Sequence, residues 1–273
     1  MSRRLGLLAA LFALGALAFA PRPATAQAKP LTIGFAMSLT GGLAPNGKAA
    51  LLAMQIWAED TNAKGGLLGR KVKLVYYDDQ SNPAQIPGIY TKLLDVDKVD
   101  LVIGGYATNM VAPAMPVIMG HQRVFIGLLA LDVNSKFHYP KYFSLAPTGG
   151  PHPKQSFSQP FFAVAEAMDP KPVRLALVGA DAEFPKNALD GARELAKEGG
   201  FNVVYDRSYP PSTADFSPII HAIAATRPDV VFVASYPPDT VGMLRAAREI
   251  GLKARLFGGG MVGLQSTSLK QQH

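Results

Sequence analysis

The stretch from Leu31 to Lys64 most constrains the fold, because it reads as a β-strand, a glycine-rich loop and a helix in direct succession. Larger apolar residues alternate with smaller ones along the strand: Leu31, Ile33, Phe35 and Met37. Apolar side chains at helical spacing follow the loop, and a Gly-Gly pair ends the helix. A strand that leads directly into a helix is the repeating unit of open α/β sheets. We therefore expect the loop to lie at the carboxyl end of a strand, where such folds bind ligands.

The first 26 residues have the pattern of a segment that is removed from the mature protein. A basic start at residues 2–4 precedes an unbroken apolar run over residues 5–20 and a small-x-small site at residues 24–26. This pattern predicts a secretory signal peptide over residues 1–26. The alternative, a membrane anchor, is less favoured because the run is short for a bilayer span and a cleavage site follows it.

The composition indicates the cellular compartment and excludes several kinds of chemistry and partner. The chain has no cysteine, which excludes disulfides, thiol catalysis and a lipid-modified cysteine. The formal charge is +7, and three arginines lie in the predicted signal peptide, which has no acidic residue, so the remainder carries +4. Its basic residues are scattered, so we expect no nucleic-acid partner. An exported, disulfide-free product indicates a bacterial periplasm.

Predicted strands and helices alternate along the rest of the chain, which favours parallel sheets throughout. One predicted helix runs from Asn109 to Gly120 and tolerates Pro113 near its start. A Pro- and Gly-rich linker over residues 146–151 separates two such series. We expect an α/β fold with two Rossmann-like lobes: lobe 1 over residues 27–146, a hinge at 147–151, and lobe 2 over 152–273. A cleft between two lobes is a natural site for a small molecule.

The first loop also carries a pattern close to that of a phosphate-binding loop. Gly42 and Gly47 are spaced as in that motif and Lys48 follows them, but Ala49 stands where a metal-binding hydroxyl is needed. Pro45 also removes one backbone N–H from the cradle. Nucleotide hydrolysis is therefore disfavoured, although amides at this helix start could hold a ligand carboxylate.

Other catalytic or metal-binding patterns are absent from the sequence. No two of the five histidines have metal-ligand spacing, and neither HExxH nor Gly-x-Ser-x-Gly occurs. The pair Asp78-Asp79 follows a predicted strand, where neighbouring side chains point to opposite faces. We interpret this pair as capping or solvated carboxylates, and we predict neither a metal nor a cofactor.

Taken together, the motifs resemble those of the branched-chain-amino-acid-type substrate-binding proteins of ABC transporters. They occur in the family's order from residue 31 to 263: IGFAMSLTGG, NAKGGLLG, VYYDDQSNP, VIGG and ADFSPII followed by PDVVFV and LRAAREIGLKA. The resemblance implies a type I periplasmic binding fold whose two lobes close on a ligand. It also implies delivery of that ligand to a membrane permease, no enzymatic activity, and a monomer.

The resemblance also predicts that the first lobe is incomplete. Family members continue well beyond the SLKQQH ending of this chain and return to the first lobe. We therefore suspect a truncated sequence, in which helices and strands of lobe 1 lack partners and expose apolar surface.

By position, the family's ligand-binding residues map onto both lobes. Those in lobe 1 are Asn46, Ala107, Thr108, Asn109, Leu129 and Leu131, and those in lobe 2 are Phe184, Tyr236 and Gly260. Thr108 keeps the hydroxyl that grips a carboxylate, but amino-acid binders have a hydroxyl where Leu131 stands and an acid where Gly260 stands. A buried ammonium without a partner is costly. The resemblance therefore implies an aromatic or branched organic acid as ligand.

Three alternatives remain open at this point. Asp239 could replace the missing acid, which would restore an amino-acid ligand. An exported enzyme on the same fold would bring catalytic groups with perturbed pKa values into the cleft. A sensory ligand-binding domain would need a membrane segment.

Overall fold

The computed structural model describes residues 28–145 and 151–264. Within these residues the chain forms two β-sheets whose paired strands are all parallel. We call the part around the first sheet lobe 1 and the part around the second sheet lobe 2. The predicted signal peptide and nearly all of the predicted hinge lie outside the described residues. The boundaries that we assigned to the two lobes therefore stay predictions.

Lobe 1 is built on five strands in the order β2-β1-β3-β4-β5. The strands are β1 (Leu31–Met37), β2 (Val72–Asp78), β3 (Leu101–Tyr106), β4 (Phe125–Leu128) and β5 (Tyr142–Ser144). The helices are α1 (Ala44–Ala63), α2 (Ile86–Thr91, continuing as a π turn over Lys92–Val96), α3 (Thr108–Val111) and α4 (Met115–Gly120). Single 3₁₀ turns cover Pro83–Gln85, Ala112–Ala114 and Val133–Ser135. The chain moves to opposite sides of β1 to form β2 and β3, so a crevice opens at the carboxyl ends of β1 and β3.

The core of lobe 1 lies between its sheet and the helices α2 to α4. Phe35, Met37 and Tyr90 are fully buried there. Because β1 is a central parallel strand that is covered on both faces, nearly all of its residues are buried. The Tyr90 hydroxyl donates to the Ile103 carbonyl oxygen at 2.7 Å, so this buried polar group is satisfied.

The helix that we predicted from Asn109 to Gly120 is present, but it is not regular along its whole length. The structure has two short helices, α3 and α4, which a 3₁₀ turn over Ala112–Ala114 joins. Pro113 lies in that turn and Pro116 in the first turn of α4. Since neither proline has a backbone N–H to donate, the regular i to i−4 hydrogen-bond series cannot continue through them.

Lobe 2 has four strands in the order β7-β6-β8-β9. The strands are β6 (Arg174–Ala180), β7 (Asn202–Tyr209), β8 (Val230–Ser235) and β9 (Leu256–Met261). The helices are α5 (Pro153–Glu166), α6 (Glu183–Glu198), α7 (Ser217–Ala225) and α8 (Pro237–Ile250). Phe161 and Phe162 of α5 pack with Phe232 on one face of the sheet, while Ile220 and Met243 cover the other face. The crevice of this lobe opens at the carboxyl ends of β6 and β8.

One face of lobe 1 is apolar and uncovered. Trp57 of α1 and the sheet residues Leu101, Val124 and Leu145 are all exposed, and they border a hollow of about 810 Å³. We expected exposed apolar surface in lobe 1, and these residues provide it. Among the described residues, no helix combines the length and apolar character needed to cross a membrane.

Candidate ligand-binding site

Asp78 at the end of β2 organises the first loop, which connects β1 to α1. Its carboxylate accepts hydrogen bonds from the backbone N–H groups of Leu39, Thr40 and Gln80 and from the Thr40 hydroxyl, at 2.7–3.2 Å. Burial alone would raise the pKa of Asp78, but these donors outweigh it and hold the pKa below its ordinary value. Asp78 therefore caps the loop as an anion.

Asp79 points to the opposite side and is fully buried. Its Oδ1 accepts from the Ser38 hydroxyl at 2.7 Å and from the Ser81 N–H at 2.8 Å, whereas Oδ2 is buried without a partner among the described residues. Burial raises the pKa of Asp79, and the two donors only partly oppose that shift. The two neighbouring carboxyl groups thus have opposite pKa shifts and different hydrogen-bond donors.

The glycine pattern of the first loop is explained by packing. A Cβ atom at Gly47 would lie 1.9 Å from the Ser38 carbonyl oxygen, so only glycine lets α1 approach the end of β1. Gly41 has φ of +78° and lies against the Gln80 carbonyl oxygen. Lys48 is exposed. Packing therefore explains the glycines of this loop without a bound phosphate.

Two loops of lobe 1 that face lobe 2 contain residues with unusual backbone conformations. Ala107, directly after β3, has φ of 81° and ψ of 147°, a region that side-chain-bearing residues rarely adopt. Leu129 and Asp132, after β4, also have positive φ, at 48° and 55°. Such strained residues cluster at ligand-binding positions, where the surrounding structure holds them in place.

Thr108 connects these two strained loops. It is 2% exposed, and its Oγ1 accepts the Leu131 N–H at 2.9 Å. A hydroxyl that accepts one bond still has its own proton to donate. The backbone N–H groups of Thr108 and Asn109 lie in the first turn of α3, where helices provide no internal acceptor. The region around Thr108 thus offers uncharged hydrogen-bond donors: the hydroxyl and the backbone N–H groups of Thr108 and Asn109.

The structure contains a cavity of about 510 Å³ between the two lobes. Lobe 1 contributes Tyr106, Ala107, Thr108, Leu129, Ala130 and Leu131, and lobe 2 contributes Ser156, Phe157, Pro160, Phe161, Phe184, Tyr236, Gly259, Met261 and Val262. Six of the ten residues predicted for the site line this cavity: Ala107, Thr108, Leu129, Leu131, Phe184 and Tyr236. A pocket of this size and apolar character suits a small organic molecule.

No aspartate, glutamate, lysine, arginine or histidine is among these described lining residues. The tyrosine hydroxyls, the hydroxyls of Thr108 and Ser156, and the backbone provide its polar groups. Burial raises the pKa of Tyr236, so its hydroxyl stays protonated and able to donate. That hydroxyl is buried and makes no hydrogen bond of ordinary geometry among the described residues, although the nearby Phe184 backbone opposes part of the rise in its pKa. Because buried polar atoms are normally paired, it is a candidate ligand contact.

Two of the predicted residues lie in a neighbouring cavity of about 640 Å³ on the other side of Tyr236. Asn109 and Asp239 line it together with the acidic side chains of Asp181 and Glu183. The Tyr209 hydroxyl donates to Asp239 at 3.0 Å, and burial raises the pKa of Asp239. The Oδ1 atom of Asn109 is buried and unpartnered within the described part of the chain.

The other two predicted residues do not line the cavity between the lobes. The Asn46 side chain donates to the Tyr106 hydroxyl and borders the apolar hollow of lobe 1. Gly260 lies in β9 between Gly259 and Met261, which do line the cavity, but it is itself packed against Ala234. Position 260 therefore provides no acidic side chain, because the residue there is glycine.

Sequence reasoning missed the contribution of α5. Phe157 and Phe161 lie one turn apart on this helix, and the Phe157 ring contacts the Phe184 ring edge-on at 4.8 Å between centroids. None of the residues that we predicted for the site lies on this helix, which covers Pro153–Glu166. The i, i+4 spacing of two phenylalanines was the available signal.

The described residues contain no cluster of three or more His, Cys, Asp or Glu side chains that could hold a metal ion. The structure therefore adds no metal centre to the cavity. What the arrangement can do is enclose an apolar body between aromatic rings and offer hydrogen-bond donors to an acceptor group at its lobe 1 end.

Comparisons with known proteins agree with this geometry. A family model described as periplasmic binding protein matches residues 30–272, and the chain belongs to this family. Leu/Ile/Val-binding protein homolog 8 of Brucella abortus (strain 2308) is 28% identical over 251 residues, which is 89% of this chain and 62% of that relative. Homolog 7 of Brucella suis biovar 1 is 27% identical over 257 residues, or 90% and 62%. This chain thus spans about 62% of the length of these relatives.

Solved structures share the fold at low sequence identity. A Rhodopseudomonas palustris ABC transporter solute-binding protein in complex with 4-hydroxybenzoate has a TM-score of 0.72 at 24% identity, covering 86% of this chain and 62% of that one. The branched-chain amino acid transporter substrate-binding protein of Streptococcus pneumoniae in complex with isoleucine has a TM-score of 0.71 at 21% identity, covering 84% and 64%. The chain therefore has the α/β fold of type I periplasmic binding proteins.

Proposed function

We propose that this chain is the ligand-binding part of an extracytoplasmic solute-binding protein. It captures a small carboxylate-bearing ligand with an aromatic or branched apolar body and delivers it to the permease of an ABC transporter. The observation that carries the proposal is the cavity between the lobes, in which Thr108 meets the aromatic side chains of Phe157, Phe184 and Tyr236. The site needs no cofactor or metal for this task, and the ligand leaves it chemically unchanged.

The lining chemistry favours an organic acid over a zwitterion. A carboxylate can accept from the Thr108 hydroxyl and from amides of the first turn of α3. An ammonium group would be buried beside Phe157, Phe161 and Met261 without an opposite charge, which is costly. Among proteins with the same fold, one is described in complex with 4-hydroxybenzoate and another with benzoate. These ligands combine one carboxylate with one ring, which supports the proposed ligand class.

An amino-acid ligand is the second candidate, and one observation favours it. Asp239 lines the neighbouring cavity and Tyr236 borders both cavities, so this alternative requires the Tyr236 ring to move aside. A ligand ammonium could then approach this carboxylate. The Brucella relatives are named Leu/Ile/Val-binding protein homologs, in agreement with this alternative.

Closure of the lobes is the proposed mechanism. The ligand contacts the lobe 1 loops that contain Ala107 and Thr108, and closure brings Phe184 and Tyr236 of lobe 2 against it. Hinge closure of this kind is common in periplasmic binding proteins, and the closed form is the one that we expect the permease to recognise. We place the protein in the periplasm, in accordance with its family.

A thermal-shift screen of the full chain tests the proposal. Ligand at about 100 times its dissociation constant stabilises a protein by roughly 2.7 kcal/mol, which such a screen detects. We expect benzoate and 4-hydroxybenzoate to raise the melting temperature more than isoleucine does. The reverse order would favour the amino-acid alternative, and no shift with any acid or amino acid would contradict both. Mass spectrometry of the recovered ligand separates binding from turnover, since an enzyme would return a changed molecule.

A further inference from the structure

We infer that Asn187, on helix α6 of lobe 2, is a positioning residue that fixes the ligand-facing hydroxyl of Thr108 from across the cleft. Asn187 does not line the cavity between the lobes. Its role is to hold a lobe 1 loop in the arrangement that binds ligand. The inference rests on the proposed function, because there the Thr108 hydroxyl is the donor to the acid group of the ligand.

The geometry is a chain of two hydrogen bonds that meet at Leu131. The Asn187 side-chain amide donates from Nδ2 to the Leu131 carbonyl oxygen at 2.9 Å. The N–H of Leu131 donates to Thr108 Oγ1, also at 2.9 Å. Thr108, Leu131 and Asn187 are 2%, 3% and 6% exposed, so both hydrogen bonds are shielded from water. A bond between lobe 2 and lobe 1 therefore leads directly to the proposed ligand donor.

These two hydrogen bonds restrict where the Thr108 hydroxyl proton can point. Because Oγ1 already accepts from Leu131, the hydroxyl hydrogen must turn toward another acceptor, and the cavity lies beside it. The Leu131 loop needs outside support, since Leu129 and Asp132 on either side of it have positive φ. Without Asn187 the Leu131 carbonyl would be buried and unpaired, and relaxation of the loop would move its N–H away from Thr108.

A second contact between the lobes provides a natural comparison. Lys136 of lobe 1 pairs with Glu183 at the start of α6 at 2.9 Å, but both side chains are largely exposed. An exposed ion pair of this kind contributes little and is screened by salt. It joins the same two elements without touching Leu131 or Thr108. Loss of this pair should therefore leave the Thr108 hydroxyl in place.

Amide hydrogen exchange in the ligand-free full chain tests the inference directly. We expect Asn187→Ala to accelerate exchange of the Leu131 N–H by at least about tenfold, while exchange of the buried β6 amide of Leu177 stays within about twofold. Asn187→Asp should behave in the same way, since a carboxylate has the same shape but cannot donate to a carbonyl. Lys136→Ala should leave the exchange of Leu131 unchanged.

Ligand affinity provides the second arm, with 4-hydroxybenzoate as the probe in isothermal titration calorimetry. We expect Asn187→Ala to weaken binding roughly 5- to 100-fold, because a buried carbonyl loses its partner and the donor loses its orientation. In a Thr108→Ala background the same change should have little further effect, since its action passes through that hydroxyl.

The outcomes separate the inference from the proposed function. Unchanged Leu131 exchange in Asn187→Ala, or equal acceleration in Lys136→Ala, would overturn the inference. So would full additivity of the two substitutions in the affinity measurement. If the wild-type protein binds neither 4-hydroxybenzoate nor isoleucine, the proposed function fails, while hydrogen exchange still decides whether Asn187 holds Leu131.

Discussion

Thr108 is the residue on which the ligand assignment depends. Its Thr108→Ala variant should bind an organic acid more weakly by about 1–3 kcal/mol, because a buried hydrogen bond to a charged acceptor is lost. Calorimetry measures this difference. Thr108→Ser keeps the hydroxyl and serves as the matched control, so it should bind like wild type. Equal affinities of the Thr108→Ala and wild-type proteins would contradict the assignment of Thr108 to the ligand site.

Asp79 predicts how one buried carboxyl affects stability as pH changes. Its pKa is raised by burial, so the folded protein holds the proton to higher pH than the unfolded chain does. The destabilisation from ionising Asp79 therefore begins near the ordinary pKa of about 3.8 and is complete above the raised folded value. Asp79→Asn should remove this contribution. Relative to wild type, its unfolding temperature should rise across that interval, and a constant difference from pH 3 to 7 would contradict the assignment.

Residue identity predicted only part of the candidate site. Thr108 and Tyr236 were found because the resemblance assigns roles to their positions. The backbone conformation of Ala107 could not be read from the sequence, since alanine gives no sign of a positive φ. Asn187 was also invisible, because its partner is a backbone carbonyl 56 positions away in the chain.

At the scale of single elements, α5 has two phenylalanines with different roles. The Phe157 ring is 37% exposed and contacts Phe184, whereas Phe161 is buried against Phe232. We expect Phe157→Ala to weaken aromatic-acid binding by about 0.5–1.5 kcal/mol and to change the melting temperature little. Phe161→Ala should instead destabilise lobe 2 by about 3–5 kcal/mol. Calorimetry measures the ligand affinity of both variants, and thermal unfolding measures their stability. A stability loss for Phe157→Ala as large as that for Phe161→Ala would contradict the different roles of the two residues.

The junction of β1 and α1 gives a second prediction at this scale. Gly47→Ala should strongly destabilise lobe 1, because its Cβ would overlap the Ser38 carbonyl oxygen. Gly88, in helix α2, has open space around its Cβ position. Gly88→Ala should therefore stabilise slightly, by about 0.4–1 kcal/mol. Urea unfolding of the two variants measures the contrast, and a tolerated Gly47→Ala would mean that the helix does not need this close approach.

Elements were more predictable than the residues of the site. The alternation of apolar strands with helices predicted parallel sheets, and the structure has them. The helix after β3 was predicted as one regular element, whereas the structure has a 3₁₀ turn within it where two prolines lie. Periodicity reports which face is buried, whereas backbone hydrogen bonding decides where a helix ends.

At the scale of the whole molecule, two parallel sheets direct the carboxyl ends of their strands toward one cleft. Each sheet has a topological switch point, between β1 and β3 in lobe 1 and between β6 and β8 in lobe 2. The loops at these switch points contain Thr108 in lobe 1 and Tyr236 in lobe 2. Binding sites in open α/β folds form at such positions. A ligand held by both loops would favour the closed arrangement by its additional contacts there.

Blocking the cavity with a tryptophan tests the central claim most directly. Ser156 lines the cavity from α5, whereas Gln159 on the same helix is exposed and does not line it. Ser156→Trp and Gln159→Trp therefore form a matched pair, to be titrated calorimetrically with the acid that gives the largest thermal shift. We predict that Ser156→Trp abolishes binding and that Gln159→Trp binds like wild type. Binding of wild-type strength by Ser156→Trp would show that the ligand does not occupy the cavity between the lobes.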